Sequence, residues 1–422
     1  MFKTMTAAAA LALALGAQTA QAVEPAEVLD TYVKIAEATY ADSLATAKVL
    51  QQKVDALIAA PTEDNLAAAK VAWKAARVPY QQSEVYRFGN GIVDDWEGKV
   101  NAWPLDEGLI DYVDGALYGA DVGENPFADA NVIANPKVEV AGKTIDASKI
   151  TPALLSEQLH EVDGIEANVA TGYHAIEFLL WGQDLNGTGP GAGARPATDF
   201  DPANCTGGHC DRRAEYLKAA TDLLVSDLEY MAAAWKDGGE GRTALLAEGP
   251  GQGLRTIVMG MGSLAYGELG GERMKLGLML HDPEEEHDCF SDNTVYSHYY
   301  DAKGIRNVYS GTYTRADGKV LVGPSLHQLV VEKAPALAAE MDAKLEATEE
   351  AMATLVSTSE DGEAYDQMIG MGNVAGNAKV QAAVDALVAQ TKTLEKVVAA
   401  LDIPPAAFEG SDSLDAPETV GN

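Results

Sequence analysis

The chain has 422 residues, with 30 lysines and arginines against 64 aspartates and glutamates, giving a net charge of -34 at pH 7. That balance repels phosphate backbones and anionic lipid surfaces, which excludes nucleic acid and membrane surfaces as expected partners. The length exceeds what one growing core usually holds, so two domains or two packed halves are expected.

At the start, Lys3 precedes an apolar stretch from Ala7 to Ala17 and then Ala20-Gln21-Ala22, the pattern of a secretory signal peptide cleaved near Ala22. Export to the periplasm or cell envelope follows as the expectation, with the mature chain running from about Val23. No later stretch approaches ~20 uninterrupted apolar residues, so no transmembrane segment is predicted. The absence of cysteine near the cleavage site argues against a lipid anchor.

Helical spacing runs from Ala26 to Ala60 and, after Pro61, from about Asn65 to Phe88, which predicts an antiparallel helix pair. From Gly89 to about Thr151 the pattern breaks up, although Trp96, Trp103, Tyr112 and Tyr118 argue for order, and Lys137–Val140 with Thr144-Ile145 reads as a small hairpin. Helix resumes from about Pro152 to Trp181, followed by a Gly/Pro/Asp-rich loop from Gly182 to Cys210. Further helices are predicted at Arg212–Trp235, Gly251–Leu280, Ser325–Val356 and Ala378–Leu401, with a hairpin over Tyr309–Gly323 and an acidic tail from Pro404 to Asn422. The fold class is therefore mainly α: two helical-bundle domains facing each other, with small β-hairpin inserts, divided as leader 1–22, halves 23–203 and 204–403, and tail 404–422.

Cys205 and Cys210 bracket a polar, glycine-rich stretch and read as a local disulfide in an oxidising compartment, with a metal site of Cys205, His209 and Cys210 as the rival. Cys289 is left over, as a buried thiol.

The segment Gly172-Tyr173-His174-Ala175-Ile176-Glu177-Phe178-Leu179-Leu180-Trp181-Gly182 is the most informative. A spacing of three puts His174 and Glu177 on one helix face among apolar neighbours, where each needs a polar partner or a metal. The bland alternative is a His–Glu hydrogen bond in a bundle core. Glu84 with Arg87, and Glu268 with Glu272 and Arg273, read as salt bridges along helix faces. The run Asp282–Thr294 reads as a solvated acidic loop with a helix-capping Ser or Asp. His160-Glu161 lacks the second histidine of HExxH, and Asp184-Leu185-Asn186-Gly187-Thr188-Gly189 opens like an EF-hand loop but reaches Arg195 at its twelfth position instead of the bidentate glutamate. P-loop, GxGxxG and GxSxG signatures are missing.

The Gly172-x-His174-x-x-Glu177 stretch closely resembles the GxHxxE hallmark of the imelysin-like family, also filed as peptidase family M75 and including the iron-regulated protein A group. Val78–Phe88, Asn101–Asp106, Gly267–Met274 and Glu285–Thr294 resemble further family segments in the same order. The chain departs from the pattern after Asn293-Thr294, where Val295-Tyr296-Ser297 stands before His298. The resemblance implies two helical bundles with the GxHxxE site near their interface and an exported protein linked to iron supply. It also turns His174 and Glu177 into an expected site, joined by Glu84 and Glu268 in a carboxylate-rich pocket for a metal ion, iron or zinc, or for a metal-bearing ligand, with Arg87, Tyr80 and Tyr173 in support. The alternatives are a metal-dependent peptidase and a non-catalytic partner of an envelope iron-uptake system.

Overall fold

The computed structural model describes residues 22–115, 127–140 and 142–420. The expected leader, bar its last residue, and Tyr118 lie outside the described residues. The first long helix, Pro25–Ala59, opens with a capping box between Glu24 and Glu27 and a proline in its first turn, then packs an apolar face against Glu63–Gln81 and Cys210–Ala234. A second group forms where Pro335–Glu360 packs on Val374–Ala400 and on Thr294–Ser310, and Val374–Ala400 packs on the stretch Leu264–Leu276. Contacts of Glu63–Gln81 with Thr294–Ser310, and of Pro25–Ala59 with Pro250–Ser263, join the groups. Cys210–Ala234 lies beyond the expected division at 203/204, yet it packs with Pro25–Ala59 and Gly172–Trp181.

The β content of the described residues is two antiparallel pairs, Lys137–Val140 with Lys143–Asp146 and Thr312–Thr314 with Val320–Val322. Mainly α with small hairpins is the fold. No helix among the described residues is long and apolar enough to cross a membrane.

Four helical expectations need adjustment, each for a local reason; the one over 325–356 breaks at Ala334, before Pro335, into Leu326–Lys333 and Pro335–Glu360. The helix expected over 152–181 is interrupted: Glu161, Asp163 and Gly164 take left-handed backbone, and a separate helix, Gly172–Trp181, begins at a glycine with φ +81°. The helix expected to Phe88 stops at Gln81, two residues after Pro79 removes an amide donor, and continues as a short 3-10 turn, Glu84–Tyr86. The helix expected over 251–280 is α only in Pro250–Ser263 and Gly277–Leu280, with a π-helical run, Leu264–Leu276, between. Such wider turns often mark functional stretches, and this one carries Glu268, Glu272 and Arg273. The helices Gly91–Asn101, Glu240–Ala247 and Thr294–Ser310 lie outside the helical ranges expected from spacing. The acidic tail docks on the π-helical run, where the Ser413 hydroxyl donates to the Gly271 carbonyl at 2.9 Å and the Tyr266 hydroxyl to Asp415 at 2.7 Å.

Candidate metal centre

Gly172 sets the position of its helix. A Cβ at that residue would stand 2.5 Å from the Val100 carbonyl oxygen, and its φ of +81° is open to glycine and costly for other residues. The helix it starts is buried along its whole length, so His174 and Glu177 are removed from water. His174 Nδ1 lies 3.1 Å from Glu177 Oε2, while the Ser291 amide donates to Glu177 Oε1 at 3.0 Å. His174 Nε2 is buried without a hydrogen-bond partner among the described residues.

The partner side of the site comes from the stretch read as a solvated acidic loop, and here the structure corrects the sequence reading. Glu286, His287, Asp288, Ser291, Asn293 and Thr294 are buried. The loop folds inward around Asp288, whose charge has partners there. Arg77, also buried, donates to Asp288 Oδ1 at 2.7 Å and to Asn101 at 2.5 Å. Asp288 Oδ2 accepts from Asn293 Nδ2 at 3.0 Å and from the Ser297 hydroxyl, and the Thr294 hydroxyl accepts from the Asp288 amide at 2.9 Å. His174 and His287 meet edge-to-face at 4.7 Å between ring centroids, each with Nδ1 within 3.8 Å of Asp288 Oδ1. Among the described residues, His174, His287 and Asp288 alone offer three ligand atoms within 4.8 Å of one another.

The electrostatics fit ligation. Burial, followed by the nearby Arg77 cation, lowers His174 to about 3, and burial with Arg273 and His174 holds His287 well below the usual histidine range. Both rings are therefore neutral at pH 7, the form that coordinates metals. Burial pushes Asp288 up, but Arg77, His174 and the bonds from Ser297 and Asn293 outweigh it and leave the carboxyl at about 2. Burial and the neighbouring Asp288 hold Glu177 well above the carboxylate range. The donor set is two imidazoles and one carboxylate, with an orphaned ring nitrogen, and a divalent transition metal suits it.

Glu84 and Glu268 were expected to share a pocket with His174 and Glu177, and the structure places both in a neighbouring network around Arg273. That guanidinium bonds Glu84 at 2.7 Å, Glu268 at 2.7 Å and Asp301 at 3.1 Å. Arg87 reaches Asp94 at 3.0 Å, Glu268 at 3.4 Å and Glu97 at 3.7 Å. Tyr80 and Tyr173 lie at 4.8 Å between rings and flank the Arg77 guanidinium, at 5.6 and 5.1 Å, so they support Arg77. A cavity of about 310 Å³ lies over this network, lined by Arg87, Glu97, Trp103, Glu268, Arg273 and His287 among others. His287 thus belongs both to the cavity wall and to the buried ligand set.

Cys205 and Cys210 are joined by a disulfide, with Cα atoms 5.9 Å apart, and Cys289 is a buried free thiol. His209 is left outside any ligand cluster among the described residues.

The family profile Peptidase_M75, described as Imelysin, matches residues 36–394. The chain belongs to the imelysin family. An 89-residue stretch is 34% identical to iron-regulated protein A of Synechococcus elongatus, covering 21% of this chain and 23% of that protein. The fold is similar to a crystal structure described as an iron-regulated protein A precursor from Parabacteroides distasonis, with TM-score 0.61, 18% identity, 91% of this chain covered and 97% of that one.

His287 and Asp288 fall in the Glu285–Thr294 stretch that resembles a family segment but were read there as solvated, and no residue pattern singled out Arg77. One signal was present for Arg77: Trp73, Arg77, Tyr80 and Glu84 follow helical i, i+4, i+7, i+11 spacing, which places the arginine on the same face as two large aromatics.

Proposed function

We propose that this imelysin-family protein binds a divalent transition metal, iron or zinc, or a ligand carrying one, through His174 Nε2, His287 and Asp288, and serves iron handling in the cell envelope after export. The orphaned, buried Nε2 of His174 carries the reading: a polar atom so placed costs ~1–3 kcal/mol unless something meets it. Two relatives whose descriptions name iron-regulated protein A support the iron assignment.

In this reading Glu177 orients and does not ligate. With one oxygen on His174 Nδ1 and the other on the Ser291 amide, it fixes the ring and directs Nε2 toward the metal, the arrangement by which a carboxylate raises the basicity of a ligating histidine. A metal on Nε2 requires the proton on Nδ1 and the charge on Glu177, so binding expels a proton and weakens as pH falls. The glutamate is therefore committed to its histidine and is poorly placed to activate water, which sets metal binding ahead of peptide hydrolysis. The cavity beside His287 is the route by which the metal or its carrier arrives.

The test is titration of the chain from residue 23 with Fe(II) under anaerobic conditions and with Zn(II), comparing wild type with His174→Ala/His287→Ala at matched circular dichroism. Stoichiometric binding that weakens at least a hundredfold in the double variant is expected. Equal affinity in both proteins would discard the ligand set.

A further inference from the structure

One sequence feature is left unused by the metal centre. The Asp184–Gly189 loop opens like a calcium loop and then lacks its closing carboxylate. The structure brings carboxylates to it from other parts of the chain. Asp184 and Gly187 line a nearly closed pocket with Glu284 and Glu286 from the loop before the metal centre and Asp366 from the helix Tyr365–Ile369. Its free volume is about 10 Å³, room for roughly one water-sized occupant.

The second observation is a buried polar side chain without a partner. Glu286 is 1% exposed, and its Oε1 finds no hydrogen-bond partner among the described residues. Asp366 is 2% exposed, and no side chain satisfies its carboxylate, which has only the backbone amides of Asp366 and Gln367 beside it. In contrast, Asp184 Oδ1 is spent on the Asn186 amide at 2.9 Å, which holds the loop in the turn that opens an EF-hand and leaves its other oxygen available. Thr188 rests against Gly370, at the end of the helix carrying Asp366, so the loop is held at the pocket.

We propose that this pocket is a second metal site, for a hard divalent cation and calcium above all, in which Glu286 and Asp366 supply the carboxylates that the loop sequence lacks. Carboxylates outnumber the one sulfur in the lining, the buried Cys289 thiol, and they suit calcium, which accepts six to eight oxygens at flexible angles where magnesium demands a tight octahedron. The lining carboxylates are spread wider than the 4.8 Å of the histidine cluster. Like charges separate in this way, and a cation draws them in. Burial first, and the nearby Asp292 and Asp184 carboxylates with it, push Asp366 up to about 7. The site also ties the Asp184 loop to the segment preceding His287, so calcium would brace the loop that presents His287 and Asp288.

The experiment is thermal unfolding and calorimetric titration with calcium chloride on chelator-treated protein, for wild type, Glu286→Gln/Asp366→Asn and His174→Ala/His287→Ala. Calcium at a hundred times its dissociation constant should raise the wild-type midpoint by about 3 °C, do the same in the histidine variant, and do nothing for the carboxylate variant. In chelator the carboxylate variant should melt no lower than wild type, since it loses like-charge repulsion. Should it fail to fold, Asp184→Asn serves instead, because its amide oxygen keeps the turn while calcium affinity falls at least tenfold. Absence of calcium binding to wild type, binding kept by the carboxylate or Asp184 variant, or binding lost with the histidines would each overturn the proposal. Failure of the transition-metal titration alone would leave it standing.

Discussion

Replacing Asp288 by asparagine keeps the shape of the side chain and removes its charge. Asp288 is 0% exposed and faces a guanidinium, Arg77, that is 1% exposed. Its carboxyl is held at about 2, below the usual 3.8, and at ~1.4 kcal/mol per pH unit that displacement corresponds to about 2.5 kcal/mol of stabilisation. For a carboxyl with depressed folded pKa this stability is complete above the unfolded value and is lost as pH falls through about 2. At pH 7 the full amount is at stake. Stranding the buried Arg77 cation costs more than linkage counts, about 3–5 kcal/mol when one partner of a buried pair is removed. Asp288→Asn should therefore lower the unfolding free energy by about 3–4 kcal/mol in urea melts at pH 7, with the gap to wild type closing toward pH 2. Because the same residue is one of three ligands, affinity for zinc or Fe(II) should fall by at least tenfold in the folded variant. A variant within ~1 kcal/mol of wild type would refute the claim that Asp288 compensates Arg77. Unchanged metal affinity would remove Asp288 from the ligand set.

Gly172→Ala must strain a left-handed position and push against the Val100 carbonyl at 2.5 Å, so it should cost about 3 kcal/mol or more in denaturant melts and loosen metal binding by displacing His174. A midpoint equal to wild type would show that the helix start can shift. Glu97→Gln concerns the neighbouring network, where burial and then Glu84 push the Glu97 carboxyl up to about 7. A carboxyl with raised folded pKa contributes stability below its unfolded value near 4.5 and loses it as pH rises to about 7. The glutamine variant should therefore gain on wild type across that window, by about 3 kcal/mol at pH 7 and above, read as the difference of two stability–pH curves. A flat difference would mean that Arg87 and Arg273 already neutralise the position.

Periodicity found the long helices because their apolar faces repeat at helical spacing over many turns, as in Pro25–Ala59 and Val374–Ala400. It missed Thr294–Ser310, where Ser297, His298, Asp301 and Asn307 face the interior and make a buried surface look polar. The same blindness hid the ligand loop. Glu284 through Asp288 reads as solvated because five polar residues in succession are not normally buried; the first two do reach solvent, while Glu286, His287 and Asp288 are buried, with Asp288 held by the guanidinium of Arg77 more than 200 positions earlier. His174 and Glu177 were legible since their pairing is local, one helical turn apart; their partners were not, since ligand geometry is a tertiary property.

The arrangement has a consistent electrostatic logic. Arg77 keeps Asp288 charged while helping to keep both imidazoles neutral, since a cation beside a histidine opposes a second positive charge. Burial is the larger cause of the neutral imidazoles, and the one buried guanidinium adds to it on both rings while it holds the third candidate ligand, Asp288, charged. Arg273 acts in the same sense on His174 and His287 from the cavity side, and its own charge is balanced by Glu84, Glu268 and Asp301. The carboxylates first expected as ligands are, on this account, the counter-ions that let a second arginine sit beside the centre. Lysine in place of Arg77 would lose the two-pronged contact that ties Asn101, at the end of the helix Gly91–Asn101, to Asp288 in the loop, so one of the two bonds would go.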